Sequence, residues 1–457
     1  MTRWLEYYRT LPHRRAFALA WPMIVANIAV PIVGLVDTAM LGNFSDATHL
    51  GAVALGALVM SASFWLLSFL RLGTTSLVGR ALGAGREADA AGHLQRALLL
   101  GGILAASVLL VQWVLVPLVM QVLAPDAQIA SLASTYVHIR VHSLPAILGT
   151  LVITGYFIGS QDTRRPLAIA VAVNLVNLGL DVWFVGVLRW DSAGAAWASL
   201  IAEWSGLVIA VVLLWRFLTA AQRERLRRWR RVGLRSGWSA LLRFNADLFV
   251  RTALLYAVLT FVTAAGGRIS PTVLAVNAIL IQLTLLASYG LDGYAHSAEA
   301  MSAKALGARD VPAFHRASAA SALPALGIAL AFTLAFLALQ GPIVGVMTNI
   351  EELQVATREY YAWAAWIPVV SVAAYVLDGV FIGSGHSRPM RRTMLVAVAL
   401  VFVPVFFGAA ALAGEATNHH LWLAFTLFNA ARGVLLGWVY WRLSVRGRWV
   451  GSEVQDA

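Results

Sequence analysis

Residues 17–42 read FALAWPMIVANIAVPIVGLVDTAMLG, an apolar stretch long enough to cross a bilayer at about 1.5 Å per residue. Pro22 and Pro31 each remove an amide donor from this predicted transmembrane helix, so a bend is expected. Asp37 is its only acid. A carboxylate in a membrane helix is costly unless it faces a wet cavity or a partner, so Asp37 indicates a proton or cation site. The structural alternative is an acid that caps or snorkels at the outer interface.

The composition indicates a polytopic membrane protein. Of 457 residues, 60% are hydrophobic and 12% are charged, with a mean hydropathy of +0.75, outside the usual range of soluble domains. With no cysteine, the chain has no disulfide framework and no thiolate metal site. Apolar runs predict an all-α fold of twelve transmembrane helices, at roughly 15–42, 50–79, 94–123, 130–160, 165–188, 192–218, 238–265, 270–306, 313–347, 355–385, 390–413 and 418–444.

Arginines predict the orientation. They gather in both tails and in the linkers after even-numbered spans, whereas the opposite linkers carry acids such as Asp46, Asp126 and Asp191. By the positive-inside rule, both termini are cytoplasmic, which in a bacterium predicts the inner membrane. The net charge of +12 therefore indicates topology and not nucleic-acid binding. The strongest basic segment, 216–237, is expected to be an amphipathic connector at the lipid surface.

The chain repeats itself across that connector. VGRALGAG at 78–85 recurs as SAKALGAR at 302–309, and GYFIGS at 155–160 recurs as GVFIGS at 379–384, both 224 residues further on. Two pairs at one spacing predict two pseudo-symmetric six-helix lobes related by an axis along the membrane normal, with substrate bound between them. The predicted boundaries are 1–215 and 238–445 for the lobes, 216–237 for the linker and 446–457 for a cytoplasmic tail.

The fifth span places polar side chains on one helical face. Asn174, Asn177 and Asp181 are spaced by three and four residues. Asp181 lies about 24 Å beyond the cytoplasmic Arg165, at a depth similar to that of Asp37. Two carboxylates at one depth predict a shared proton or cation site whose mutual repulsion raises the apparent pKa of the pair. The alternative is interhelical hydrogen bonding that only holds helices together.

Weaker candidates accompany this pair. Hydroxyl groups that could line the same cavity belong to Tyr136, Thr154 and Ser199. Buried acids of less certain role are Glu203, Asp292, Glu299 and Asp378. In the seventh span Asp247 and Arg251 stand at i and i+4, which predicts a charge network with the eighth span. Tryptophans near span ends, predicted to anchor at the membrane interface, are Trp190, Trp422, Trp438 and Trp441.

Some activities are excluded. The chain has no G-x-x-x-x-G-K-[ST] loop for nucleotide phosphates and no metal motif typical of a membrane metalloenzyme. We therefore expect no ATP hydrolysis, no enzymatic activity, no cofactor and no metal. A membrane-embedded enzyme or a channel is disfavoured because neither a catalytic constellation nor a pore-lining ring is present.

Four stretches together carry a family resemblance: WPMIVANIAVPIVGLVDTAMLG at 21–42, IRVHSLP at 139–145, NLVNLGLDVWFV at 174–185 and YGLDGYAHSAEAMSAKALGARD at 289–310. The chain resembles the DinF branch of the multidrug and toxic compound extrusion (MATE) transporters. The resemblance implies two six-helix lobes around a V-shaped cavity and the export of cationic or amphipathic compounds against protons or sodium ions. The chain is expected to act as a monomer. The alternative is a flippase for lipids or lipid-linked precursors.

The resemblance also implies roles for single residues. Asp37 and Asp181 look like the family's coupling pair, and Pro22 looks like the proline at which the first helix bends. Their hydrogen-bonding surround would be Tyr136, Thr154, Asn174, Asn177 and Ser199. The acids of sodium-coupled relatives have no clear counterpart in the seventh span, where Asp247 lies near the cytoplasmic end, which favours protons. The sequence does not name the substrate.

Overall fold

The computed structural model describes residues 10–44, 46–123, 126–227 and 238–450. Within its helices, the side chains of residues 30–33, 35–39, 42–44, 47 and 240 lie outside this description, and Asp37 is one of them. The described residues are almost all helical, and none of them forms a β-strand.

Nine helices make up the described part of the first half. They are α1 (His13–Phe44), α2 (Ala47–Leu67), α3 (Phe69–Gly83), α4 (Glu87–Leu123), α5 (Ala127–Val141), α6 (Leu144–Gly159), α7 (Arg164–Asp181), α8 (Asp191–Phe217) and α9 (Ala220–Arg227). The second half contains α10 (Trp238–Ile269), α11 (Pro271–Gly307), α12 (Val311–Ala338), α13 (Gln340–Met347), α14 (Glu351–Ser384), α15 (Ser387–Val396), α16 (Val403–Ala413) and α17 (Asn418–Val445).

Twelve segments have transmembrane length. Ten spans in the described chain are long and apolar enough to cross a bilayer, and the pair α5 and α6, bent by 47°, adds an eleventh. Helix α1 has 32 residues, about 48 Å, and is the twelfth. Large apolar side chains such as Leu110 and Leu412, 79% and 92% exposed, suit a surface covered by lipid. The predicted all-α fold of twelve transmembrane helices is confirmed.

Short polar side chains start several of these helices. The Asp46 carboxylate accepts from the backbone N–H of His49 at 2.9 Å, and the Ser270 hydroxyl accepts from Val273 N–H at 3.0 Å. Asp126 caps α5 in the same way. These side chains satisfy amides that a helix leaves free at its first turn. Two acids that indicated topology in the sequence thus also fix where helices begin.

The two halves follow one pattern of helices, offset by 224 residues. Helices begin at residues 47 and 271, at 87 and 311, and at 127 and 351. The repeated glycine motif explains part of this correspondence. A Cβ on Gly155 would lie 2.5 Å from the carbonyl oxygen of Arg71 on α3, and one on Gly379 would collide with the carbonyl oxygen of Ala295 on α11. Residues 71 and 295 are again 224 apart, so the same backbone contact occurs once in each half.

The chain forms two compact units. One is Val25–Trp238, and the other joins Met1–Ile24 to Ser239–Ala457. The division therefore falls within α1, just after Pro22. The amino-terminal part of α1 packs on α11, where a Cβ on Gly293 would lie 2.9 Å from the carbonyl oxygen of Ala20. The predicted lobe boundaries remain a prediction.

Part of the basic connector is folded against the first half. Helix α9 packs on α4, where the buried Gln95 side chain donates to the backbone carbonyl oxygens of Arg225 at 3.1 Å and Leu226 at 3.4 Å. The Thr219 hydroxyl donates to Glu87 at 3.0 Å. Residues 228–237, the rest of the predicted connector, lie outside the described chain.

Candidate functional site

Asp181 stands where the regular helix of the fifth span ends. Helix α7 finishes at this residue, and the chain continues as a π-helical turn, Val182–Val187. The Asp181 side chain is fully buried. Single π-helical turns within helices are frequent at functional sites. The eleventh span has a similar turn, Ala397–Phe402, but the residue before it is Val396, so only the first half places an acid there.

The two asparagines of α7 reach two different helices. Asn177, 2% exposed, donates from Nδ2 to the hydroxyl of Ser199 on α8 at 3.2 Å. Asn174 is half-buried and donates from Nδ2 to the backbone carbonyl oxygen of Ala29 on α1 at 3.0 Å. The polar face predicted from the spacing therefore exists, and it joins the first, fifth and sixth spans.

Two contacts fix how α1 and the fifth span lie against each other. The first is the hydrogen bond between Asn174 and Ala29. In the second, a Cβ on Gly186, in the π-helical turn, would lie 3.2 Å from the methyl group of Met40 on α1. From the first contact to the second, both chains advance towards their carboxyl ends by about three turns. The two segments therefore run side by side and parallel.

This alignment determines how far along the two helices the two predicted aspartates lie. Position 37 lies eight residues beyond the first contact on α1, and Asp181 lies seven residues beyond it on α7. At 1.5 Å per residue these separations are about 12 and 10 Å. The helical backbone therefore brings residue 37 to the level of Asp181, between the two contacts. The Asp37 side chain itself lies outside the described residues.

The remaining members of the predicted surround differ in placement. The ring of Tyr136, 2% exposed, lies against Gly56 on α2, where an added Cβ would collide with it. Thr154 is half-buried on α6. Pro22 is buried within α1, and the helix continues through it. The structure places Asn177 and Ser199 in direct contact and Tyr136 at a helix crossing.

The secondary acids are spread over both halves. Glu203 is half-buried on α8, within electrostatic range of Arg140. Glu299 on α11 is 1% exposed, and its carboxylate lies 3.4 Å from Nδ1 of His296 on the same helix. Asp292, one helical turn before His296, is half-buried.

The acids of the tenth and seventh spans have partners that the sequence did not indicate. Asp378 is 6% exposed on α14 and pairs with two guanidinium groups, those of Arg251 on α10 and Arg432 on α17. Asp247 pairs with Arg391 at 2.6 Å and accepts from Ser387.

The predicted network between the seventh and eighth spans is therefore wrong for Asp247 and Arg251, which pair with residues of the eleventh and tenth spans, respectively. Helical spacing detects neighbours on one helix, but these pairs join residues more than a hundred positions apart. Arg432 was missed although an arginine inside an apolar span is itself a signal for a buried partner.

Among the described residues, no three histidine, aspartate or glutamate side chains gather as a metal site.

Comparison with known proteins shows which family has this architecture. The MatE family model matches residues 22–183 and 248–407, one segment in each half. The chain is similar to DNA damage-inducible protein F of Escherichia coli K12, with 34% identity over 97% of this chain and 95% of that protein. It is also similar to Protein DETOXIFICATION 44, chloroplastic, of Arabidopsis thaliana, with 27% identity over 94% of this chain and 82% of that protein.

Solved structures show the same fold. A crystal structure of MATE in complex with MaL6 superposes with a TM-score of 0.83 at 18% identity, covering 96% of this chain and 98% of that one. A transporter of the MOP superfamily from Pyrococcus furiosus gives a TM-score of 0.79 at 20% identity, covering 96% and 97%. The chain belongs to the multidrug and toxic compound extrusion family of membrane transporters, in the branch of DNA damage-inducible protein F.

Proposed function

We propose that this chain exports cationic or amphipathic compounds in exchange for protons, and that Asp37 and Asp181 are the coupling pair. One observation carries the proposal: the contacts of Asn174 and Gly186 with α1 bring residue 37 to the level of the buried Asp181. Two carboxylates at one level, in a lobe with amide neighbours, are suited to take up and release protons.

The proposed cycle begins when the cavity faces the periplasm and outside protons reach the two aspartates. Protonation removes their charge and changes the hydrogen bonds around Asn177 and Ser199. Helix α1 then bends near Pro22, and the bound compound is released outward. Deprotonation to the cytoplasm follows in the inward-facing state. Because proton and substrate bias the same two-state element in opposite directions, each must weaken binding of the other.

The carboxyl-half acid Asp378 is unsuited to hold a second coupling cation. Its carboxylate oxygen Oδ2 already accepts from two guanidinium groups, at 2.8 Å from Nη2 of Arg432 and in contact with Arg251. Two positive charges at this carboxylate disfavour a cation there. Relatives named as multidrug resistance proteins, such as MdtK of Cronobacter sakazakii at 26% identity over 56% of this chain, support the substrate class.

The experiment is transport by the purified chain in proteoliposomes with proton and sodium gradients imposed separately. With an acidic lumen and equal sodium, we expect accumulation of a fluorescent organic cation such as ethidium, and nigericin should abolish it. A sodium gradient at uniform pH should produce none. Accumulation driven by sodium alone would contradict proton coupling. Movement of a labelled phospholipid without either gradient would favour the lipid flippase.

We also propose that both termini are cytoplasmic in a bacterial inner membrane. Because the chain contains no cysteine, single-cysteine variants report sidedness without background. In intact cells, a membrane-impermeant maleimide should label Glu415→Cys, in the exposed linker before α17, and should label Glu224→Cys on α9 only after permeabilisation. The reverse pattern would refute the proposed orientation.

A further inference from the structure

A buried cluster in the carboxyl half holds two arginines against one carboxylate. Arg251 on α10 and Arg432 on α17 both donate from Nη2 to Oδ2 of Asp378 on α14, Arg432 at 2.8 Å. Arg432 also donates from Nη1 to the Oδ1 atom of Asn429 at 3.0 Å. Arg251 is 9% exposed and Arg432 is 3% exposed. Three helices of one compact unit thus meet at a site that the coupling proposal does not use.

The cluster leaves strong donors unused. The Nε–H groups of both Arg251 and Arg432 are buried, and within the described chain neither meets a hydrogen-bond acceptor. A buried donor without an acceptor costs about 1–3 kcal/mol, and more when the group is charged. A guanidinium has five N–H donors in a planar fork that matches the oxygens of a carboxylate, sulfonate or phosphate. The unused donors therefore suit an oxyanion from outside the protein.

The surroundings of the arginines add an apolar component. The guanidinium carbon of Arg432 lies 5.6 Å from the centre of the Phe428 ring, which is fully buried in the aromatic core of this half. Asp292 is half-buried and lies within electrostatic range of Tyr375, and the two guanidinium groups contact the carboxylate of Asp378. A ligand suited to this place carries an oxyanion on an apolar body.

We propose that Arg251 and Arg432 form a binding site for the oxyanion group of an amphipathic molecule, with the shared carboxylate of Asp378 holding the two guanidinium groups in place. This inference rests on the proposed function, because it adds anionic amphipaths to the compounds that the transporter carries. The same chemistry is present in the headgroup of an anionic lipid. The two sources differ in whether the ligand arrives from solution or from the bilayer.

The test is equilibrium binding to the full chain in nanodiscs of phosphatidylcholine. The probe is dansyl-11-aminoundecanoate, and its methyl ester is the uncharged control. We expect the carboxylate to bind at least tenfold more tightly than the ester. Arg251→Gln and Arg432→Gln should each remove this preference by weakening carboxylate binding about ten- to a hundredfold, the range of a charge-assisted hydrogen bond. Arg268→Gln, exposed at the end of α10, is the matched control and should bind like the wild type.

Asp378→Asn separates a binding site from a structural ion cluster. In a binding site, the substitution removes a competing acceptor, so the carboxylate probe should bind more tightly than to the wild type. In a purely structural cluster, the same substitution should weaken both probes alike, and this result would overturn the proposal. Arg432→Lys retains the charge without the planar fork. It should weaken carboxylate binding even if the glutamine variants do not fold.

Two further comparisons identify whether the ligand comes from the bilayer or from solution, and they separate failure of the anion site from failure of the proposed function. If phosphatidylglycerol added to the nanodisc displaces the carboxylate probe, the site holds a lipid headgroup; if it does not, the ligand comes from solution. Equal binding of carboxylate and ester by the wild type would refute the anion site. Because binding is measured without a gradient, this failure would leave proton-driven export of ethidium intact, whereas loss of that export would refute the proposed function.

Discussion

Asp181→Asn is expected to reduce proton-driven efflux to the level of protein-free vesicles while the chain still folds. Asparagine has nearly the same shape as aspartate and keeps a hydrogen-bonding side chain, but it does not take up a proton. Because asparagine leaves no cavity at this fully buried position, the purified variant should still give a cooperative melting transition. Transport is measured in proteoliposomes with an acidic lumen, and folding by thermal melting of the purified protein.

The matched control is Asp126→Asn. Asp126 caps the first turn of α5 at an exposed position, by accepting from the backbone N–H of Ile129 at 2.8 Å, and asparagine caps a helix equally well. This variant should transport like the wild type. Proton-driven efflux retained by Asp181→Asn would show that the charge of Asp181 is not needed for coupling, and the proposed pair would then be wrong.

A second variant tests whether the two aspartates act as a unit. If the protons bind to a shared site, Asp37→Asn should eliminate efflux as well, and the double variant should be no worse than either single one. Independent sites would instead give partial and additive losses. Asn177→Ala, which removes the hydrogen bond to Ser199 at 3.2 Å, should only shift the pH dependence of transport.

Local sequence patterns predicted the fold well because membrane helices must satisfy their own backbone. Each of the twelve predicted spans overlaps a helix or a broken helix. The polar face of Asn174, Asn177 and Asp181 followed from spacing alone, since residues three and four apart share a side of a helix. The 224-residue repeat, detected in two short motifs, reappears in where the helices begin.

Long-range pairing was beyond such patterns. Trp422 was predicted to anchor at the membrane interface because it lies near a span end, yet it is fully buried and donates from Nε1 to Asn277 at 2.8 Å. The exposed Trp190, Trp438 and Trp441 do suit that role. In the same way, the spacing of Asp247 and Arg251 predicted a charge network with the eighth span, although the partner of Arg251 is Asp378 on the tenth span. Which face of a helix meets which neighbour is decided by tertiary packing.

Gly379→Ala is expected to lower the free energy of unfolding by about 1–3 kcal/mol, the usual cost of overpacking a well-packed core. An added Cβ would collide with the carbonyl oxygen of Ala295, a backbone atom that no side-chain rotation moves aside. Small residues permit such close approach between membrane helices. Its counterpart Gly155→Ala meets the carbonyl oxygen of Arg71 and should show a loss of similar size.

The control for both glycine variants is Gly327→Ala on α12, an exposed position with no atom within 4 Å of an added Cβ. Alanine is the better helix former, so this variant should be stabilised by about 0.5–1 kcal/mol. The comparison is made by thermal melting of the purified proteins. If Gly379→Ala and Gly155→Ala melt like the control, the glycines of the repeated GVFIGS and GYFIGS motifs are not needed for the close α11–α14 and α3–α6 crossings. If only one of them is destabilised, the two halves share a helix pattern but not the packing that holds each half together.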